Sequence, residues 1–157
     1  MSNDDAAVFA GLHHIKIPVS DLVRSRAWYE QVLGYHVQFE FPDAEDGVVR
    51  GVAGEVPGLG EVGLALRENP EAARGLAGYD AFAFAIKDKA AAEAWVAKLD
   101  RLGVEHSPVI EASIGWIVRC FDPDGIEIRM YSWERLPEDH VGEPGYARPE
   151  VEVRAVG

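Results

Sequence analysis

The chain has 157 residues, 48% of them hydrophobic, and sets 15 Lys and Arg against 27 Asp and Glu for a formal net charge of −12. That length and apolar fraction describe one globular domain over residues 1–157 rather than a disordered chain, and the acidity disfavours nucleic-acid partners. A single cysteine, Cys120, excludes an intramolecular disulfide and a Cys-rich zinc site. No basic leader and no apolar run of about 18 residues is present, so a cytoplasmic protein with no membrane partner is expected.

Leu12 to Val19 alternates Ile15, Ile17 and Val19 with His14, Lys16 and Pro18, the pattern of a half-buried strand. Asp21 is a helix N-cap, Leu22 to Leu33 has helical spacing, and Gly34 ends it at C′. Tyr35 to Phe41, Val48 to Val52 and Val62 to Leu66 read as strands joined by Gly- and acid-rich loops. The order then repeats. Ala81 to Ile86 is a strand, and Asp88 caps a helix with Ala92, Trp95, Leu99 and Leu102 on one stripe before Gly103. Strands follow near Pro108 to Glu111, Gly115 to Phe121 and Ile126 to Tyr131, with Asp122-Pro-Asp-Gly125 as the last hairpin turn. From Trp133 to residue 157 the sequence reads as an acidic, Pro-containing tail with a late strand at Val151 to Val156.

The two halves are copies. Gly11 to Asp21 aligns with Gly78 to Asp88 at an offset of 67 residues (Gly11 to Gly78), and Ala27-Trp28 aligns with Ala94-Trp95. The chain is therefore α+β, built of two βαβββ modules at about 10–67 and 78–132. A duplicated unit of this kind is expected to pack against its copy, with a ligand in the seam.

The paired modules, the opening His13-His14-Ile-Lys-Ile-Pro-Val, the helix end Trp28-Tyr29 to Leu33-Gly34-Tyr35 and the turn Asp122-Pro-Asp-Gly125-Ile resemble the vicinal oxygen chelate superfamily. That group holds glyoxalases, extradiol dioxygenases and bleomycin-resistance proteins. The resemblance covers about residues 10–132 and implies a cupped mixed sheet with helices outside. Its metal enzymes hold a divalent ion with four strand side chains, which fall here on His14, Ala65, Ala81 and Arg129. Alanine has no lone pair to give and a guanidinium is a fixed cation. The expectation is a degenerate site with no metal and no other cofactor.

Period-two alternation gives the cup lining: His14 and Lys16, then Gly63, Ala65 and Arg67, then Ala81, Ala83 and Ala85, then Glu127, Arg129 and Tyr131. A Gly and Ala floor leaves room for an organic ligand with an anionic or carbonyl group near Arg129. The main expectation is a metal-independent small-molecule-binding protein. The alternative is a glyoxalase-like lyase or isomerase, or a dioxygenase relative, with His14 or Glu127 moving a proton and Arg129 stabilising an enolate. Two further readings stay open: Arg129 and Glu127 pair with each other or with Lys16 and Arg67, or the alanine face is tight packing. A homodimer is compatible with the sequence but not specified by it.

Other motifs weigh less. Gly58-Leu-Gly-Glu-Val-Gly63 matches a dinucleotide fingerprint but precedes a strand, not a helix. Cys120 reads as an inert core thiol, Trp28 and Trp95 as core or interface, and His36, His106 and His140 as surface residues.

Overall fold

Asp21 and Asp88, equivalent in the repeat, both sit in extended backbone and use their carboxylates to start a helix. Asp21 accepts the Arg24 N–H at 3.1 Å and Asp88 accepts the Ala91 N–H at 2.9 Å. The helices they open are α1 (Leu22–Leu33) and α3 (Lys89–Leu102), and each closes on a left-handed glycine, Gly34 or Gly103. A computed structural model describes residues 3–144 and 146. The strand expected at 151–156 lies outside the described residues.

The chain divides into two compact units, Met1–Gly75 and Leu76–Gly157. The first holds β1 (His14–Val19), α1, β2 (His36–Pro42), β3 (Val49–Glu55) and β4 (Gly63–Glu68), in a sheet of order β1-β4-β3-β2. The second holds β5 (Ala83–Ile86), α3, β6 (Ile110–Glu111), β7 (Gly115–Phe121) and β8 (Glu127–Arg135), in the order β5-β8-β7-β6. In both, the first strand runs parallel to the last and the other pairings are antiparallel. These are the two α+β modules of the sequence, strand for strand.

One face of each sheet is apolar and meets a helix: α1 packs on β4, and α3 on β7 and β8. Ile17, Val19, Leu64 and Leu66 are buried in the first unit, and Ile126, Ile128 and Met130 in the second. Each such side chain contributes about 1.5–3 kcal/mol when fully buried. Tyr35 turns inward from the start of β2 and its hydroxyl donates to the Leu64 carbonyl at 2.8 Å. Burial pushes that phenol up to about 12.

Beyond shifts such as β3 running on to Glu55 and β6 starting at Ile110, the elements differ from expectation in four places. β1 starts at His14 because Leu12 finds no ladder partner and stays exposed. β5 starts at Ala83, leaving Ala81 before the strand. β8 runs through Arg135 rather than stopping at Tyr131, so Trp133 is strand and not tail; the Glu134 N–H donates to the Lys87 carbonyl at 3.0 Å and Leu136 is buried beyond it. A helix the pattern did not announce, α2 (Pro70–Leu76), follows β4. Asn69 caps it by accepting the Ala72 N–H at 3.0 Å, and Pro70 fits the first helical position, where no N–H is needed.

Among the described residues, no helix is long and apolar enough to cross a membrane. The last turn forms as expected: the Asp122 carboxylate accepts the Asp124 and Ile126 N–H groups, and Gly125 takes φ 77°.

Gly54 sits beside the register shift between Val37 and Phe39, where a Cβ would run into the His36 carbonyl. Gly54→Ala is expected to cost about 1–3 kcal/mol, read as a lower urea or thermal midpoint. Gly75→Ala in α2, where a Cβ meets nothing within 4 Å, should leave the midpoint unchanged or raise it.

Candidate functional site

Strand register places the site residues of the first unit. Lys16 pairs with Ala65, Ala65 with Ala53, and Ala53 with Phe39, so these four share one face from edge to edge. The next row is Pro18, Arg67, Gly51 and Phe41, and on the other side His14 pairs with Gly63. Gly51, Ala53, Gly63 and Ala65 thus make a nearly bare floor. His14 and Lys16 stand along one side of it, and Phe39 and Phe41 along the other.

This face is a trough with two adjoining clefts. One of about 420 Å³ is lined by His13, His14, Lys16, Phe39, Ala53 and Ala65 among others. One of about 310 Å³ is lined by Lys16, Phe41, Gly51, Ala65 and Arg67 with Val52 and Leu66. Phe39 and Phe41 remain 61% and 52% exposed. His13 Nδ1 and His14 Nδ1 are 2.9 Å apart. Arg67 stays at the rim, where its Nη1 donates to Asp43 Oδ1 at 3.0 Å; Arg50 donates to the other oxygen at 2.7 Å. The two guanidinium groups, Arg50 first, hold the Asp43 carboxyl below its usual range.

The second unit fills the same positions with charge. Ala83 pairs with Arg129 and Arg129 with Arg119; Tyr131 lies between Ala85 and Ile117. Glu127 is 1% and Arg129 6% exposed. Arg119 Nη1 donates to Glu127 Oε1 at 3.1 Å, Arg129 Nε donates to Glu127 Oε2 at 2.7 Å, and Arg129 Nη1 reaches Asp80 Oδ2 at 3.1 Å. Arg119, Glu127, Arg129 and Asp80 therefore alternate in sign along one chain of contacts. Tyr131 turns its hydroxyl to Ser113 and to the Ile114 N–H, both at 3.3 Å.

The expected residues thus fall into two groups. His14, Lys16, Ala65 and Arg67 share the open face of the first sheet, and Ala83, Glu127, Arg129 and Tyr131 that of the second. Ala81 is exposed and outside the ladder. Of the open pairings, Arg129 does bond Glu127, whereas Arg67 bonds Asp43. Sequence reasoning missed Phe39, Phe41, Gly51 and Ala53, although Phe39 and Phe41 alternate in a strand it had found. It also missed Asp80, which falls on His13 by the 67-residue offset (His13 to Asp80).

The remaining candidates are structural. Cys120 is fully buried, and burial pushes its thiol up to about 12, so it is no nucleophile. Trp28 meets Tyr29 edge-on, and Trp95 lies under Lys98 Nζ at 4.7 Å. His36 stands 3.7 Å from Glu55, and His106 bonds Asp100 at 2.7 Å. Glu111, and then Glu143, raise His140 above its ordinary value by accepting from its ring. Among the described residues no group of three or more His, Cys, Asp or Glu side chains is placed to hold a metal ion.

No curated protein matches the sequence. Among solved structures, the chain is similar to a glyoxylase/bleomycin resistance protein/dioxygenase domain from Frankia sp. EAN1pec, with 20% identity over 80% of this chain and 98% of that one, at a TM-score of 0.62. It is similar to lactoylglutathione lyase from Agrobacterium tumefaciens, with 19% identity over 79% and 94%, TM-score 0.61. It is equally similar to TnmS3, an antibiotic binding protein from Streptomyces sp. CB03234, with 21% identity over 79% and 96%, TM-score 0.62. The family model matches residues 11–130, the span of both modules, and the chain belongs to the Glyoxalase/Bleomycin resistance protein/Dioxygenase superfamily.

Proposed function

We propose that the chain binds a small organic molecule on the open faces of its sheets, chiefly in the trough of the first unit, and does so in the cytoplasm without a divalent metal. The observation that carries this reading is the bare floor between an aromatic wall, Phe39 and Phe41, and a polar one that carries the Lys16 ammonium. The floor is not forced by packing: a Cβ at Gly51 or Gly63 would meet only ordinary contacts, the nearest at 3.5 Å. A methyl group would fit at either position, and its absence leaves the trough open.

Phe39 and Phe41 offer exposed rings to a flat ligand, and burying such a ring fully stabilises by about 1.5–3 kcal/mol. Lys16 faces them across the trough, where its ammonium can donate to a carboxylate or carbonyl. TnmS3, similar in fold, is an antibiotic binding protein, which supports a ligand-binding reading here. A metal fits poorly. Ala65 and Ala81 have no donor atoms, Arg129 is a cation bonded to two carboxylates, and both Glu127 oxygens are engaged by guanidinium groups.

A second reading, a metal-independent lyase or isomerase, draws support from the His13–His14 contact, which places two adjoining imidazoles beside the trough. It expects deuterium to enter the α-carbon of hydroxyacetone in D2O, followed by NMR, and His14→Gln to abolish the exchange. Equal exchange with and without protein rejects it.

Two measurements test the main reading. Calorimetric titration with Ni, Zn or Fe(II) is expected to give no tight one-to-one binding, and a tight stoichiometric site would overturn it. Ala65→Trp, which fills the floor, should weaken binding of 2-naphthamide by about tenfold or more while the circular dichroism spectrum is unchanged. Unaltered affinity would place any ligand elsewhere.

A further inference from the structure

We propose that Asp80 is an internal counter-ion that holds an anion position at Arg129 closed, so that a ligand carboxylate or phosphonate enters the second sheet's open face by displacing it. The inference rests on the preceding reading that these faces take a ligand.

Asp80 adds an anion at the end of a series that without it has one more cation than anion. Glu127 lies between Arg119 and Arg129 with one oxygen on each. Those three groups carry a net positive charge, and two of them are almost fully buried, with side chains 2% (Glu127) and 8% (Arg129) exposed. A buried, uncompensated charge is strongly destabilising. The Asp80 carboxylate cancels it through Arg129 Nη1, and at 31% exposure it is the most accessible member of the series.

Asp80 is also the member least fixed by backbone. Glu127 and Arg129 lie in β8 and Arg119 in β7, all within ladders. Asp80 precedes β5, whose pairing begins only with Ala83 against Arg129. The segment is anchored before it, where the Gly78 N–H donates to the Gly125 carbonyl at 2.8 Å. Next to Arg129 on the neighbouring strand are only the small, exposed Ala83 and Ala85. A ligand oxyanion can therefore reach the guanidinium from the side that Asp80 occupies, exchanging one ion pair for another.

The internal repeat gives an independent line. By the 67-residue offset (His13 to Asp80) Asp80 stands where the first unit has His13, and by strand pairing Arg129 and Arg119 stand where it has Ala65 and Ala53. The acid occurs in the copy that has the arginines and not in the copy that has alanines. It belongs to the charged filling of that face, not to the shared scaffold.

The test compares 2-naphthoate with its neutral isostere 2-naphthamide by calorimetry on the full chain. Asp80→Asn is expected to tighten naphthoate binding by about tenfold while leaving naphthamide within about twofold. The charge-balanced double variant Asp80→Asn/Arg129→Met, which keeps the Arg119–Glu127 pair, should lose that gain. Asp80→Ser serves if the Asn variant fails to fold. In the unaltered chain, naphthoate should shift the Arg129 Nε–H and Asp80 carboxyl NMR signals together, and naphthamide should not. If naphthamide binds but the naphthoate preference is the same in all forms, or the gain survives loss of Arg129, the role of Asp80 is overturned and the binding reading stands. If neither probe binds any form, both fall.

Discussion

Everything that distinguishes the two units depends on the parallel pairing of their outer and inner strands, Lys16 on Ala65 and Ala83 on Arg129. Side chains alternate across a strand, so this register decides which of them meet the helix and which face outward. A slip of one residue would send Leu64 and Leu66 away from α1 and bring Ala65 and Arg67 beneath it. The complete burial of Ile17, Leu64, Ile126 and Ile128 fixes the register from the helix side. The open faces inherit it without contributing much to it, and their composition is free to diverge.

They have diverged in opposite directions. The first sheet keeps its middle strands bare except for Arg67, which bonds Asp43 at the rim, and puts Lys16 on an outer strand. The second has alanines on its outer strand and puts arginines on the two middle ones. A bare middle exposes the Phe39 and Phe41 rings and leaves the two clefts above the floor. A charged middle must be neutral in total to be buried, and the alternation of Arg119, Glu127, Arg129 and Asp80 meets that requirement. One scaffold therefore supports a largely apolar face and a charged one.

Much of this was legible in the residues alone. The caps Asp21 and Asp88, the closing glycines and the alternating strands each declare themselves within a few residues, because they depend on local backbone chemistry. The duplication then fixed the fold and gave the correct pairing of Ala65 with Arg129 as equivalent positions. What could not be read was contact across strands. Asp80 is next to Ala81, a position that had been singled out, yet nothing local marks it as a partner of Arg129, 49 residues on (Asp80 to Arg129). Phe39 and Phe41 were placed in a strand but not on the trough, because a register shift in β2 decides their side. α2 was hidden by its length of 7 residues, too short for periodicity, though Asn69-Pro70 carried its start.

The overall charge of −12 bears on what can enter these faces. Such a chain repels anions at long range, but in physiological salt that field is screened beyond about 8 Å. Selection among ligands that reach the surface is therefore local. At the trough the nearest charges are the Lys16 ammonium, the Glu61 carboxylate and the Arg67 guanidinium, the last already committed to Asp43. At the second face each guanidinium is answered by a carboxylate of the chain itself. On the proposed reading an anion pairs with Lys16 in a cleft that also holds the Glu61 carboxylate, whereas at Arg129 it takes the place of Asp80. The two faces, built from one repeat, thus differ in charge setting: an exposed ammonium and carboxylate line the first, and a closed series of ion pairs fills the second.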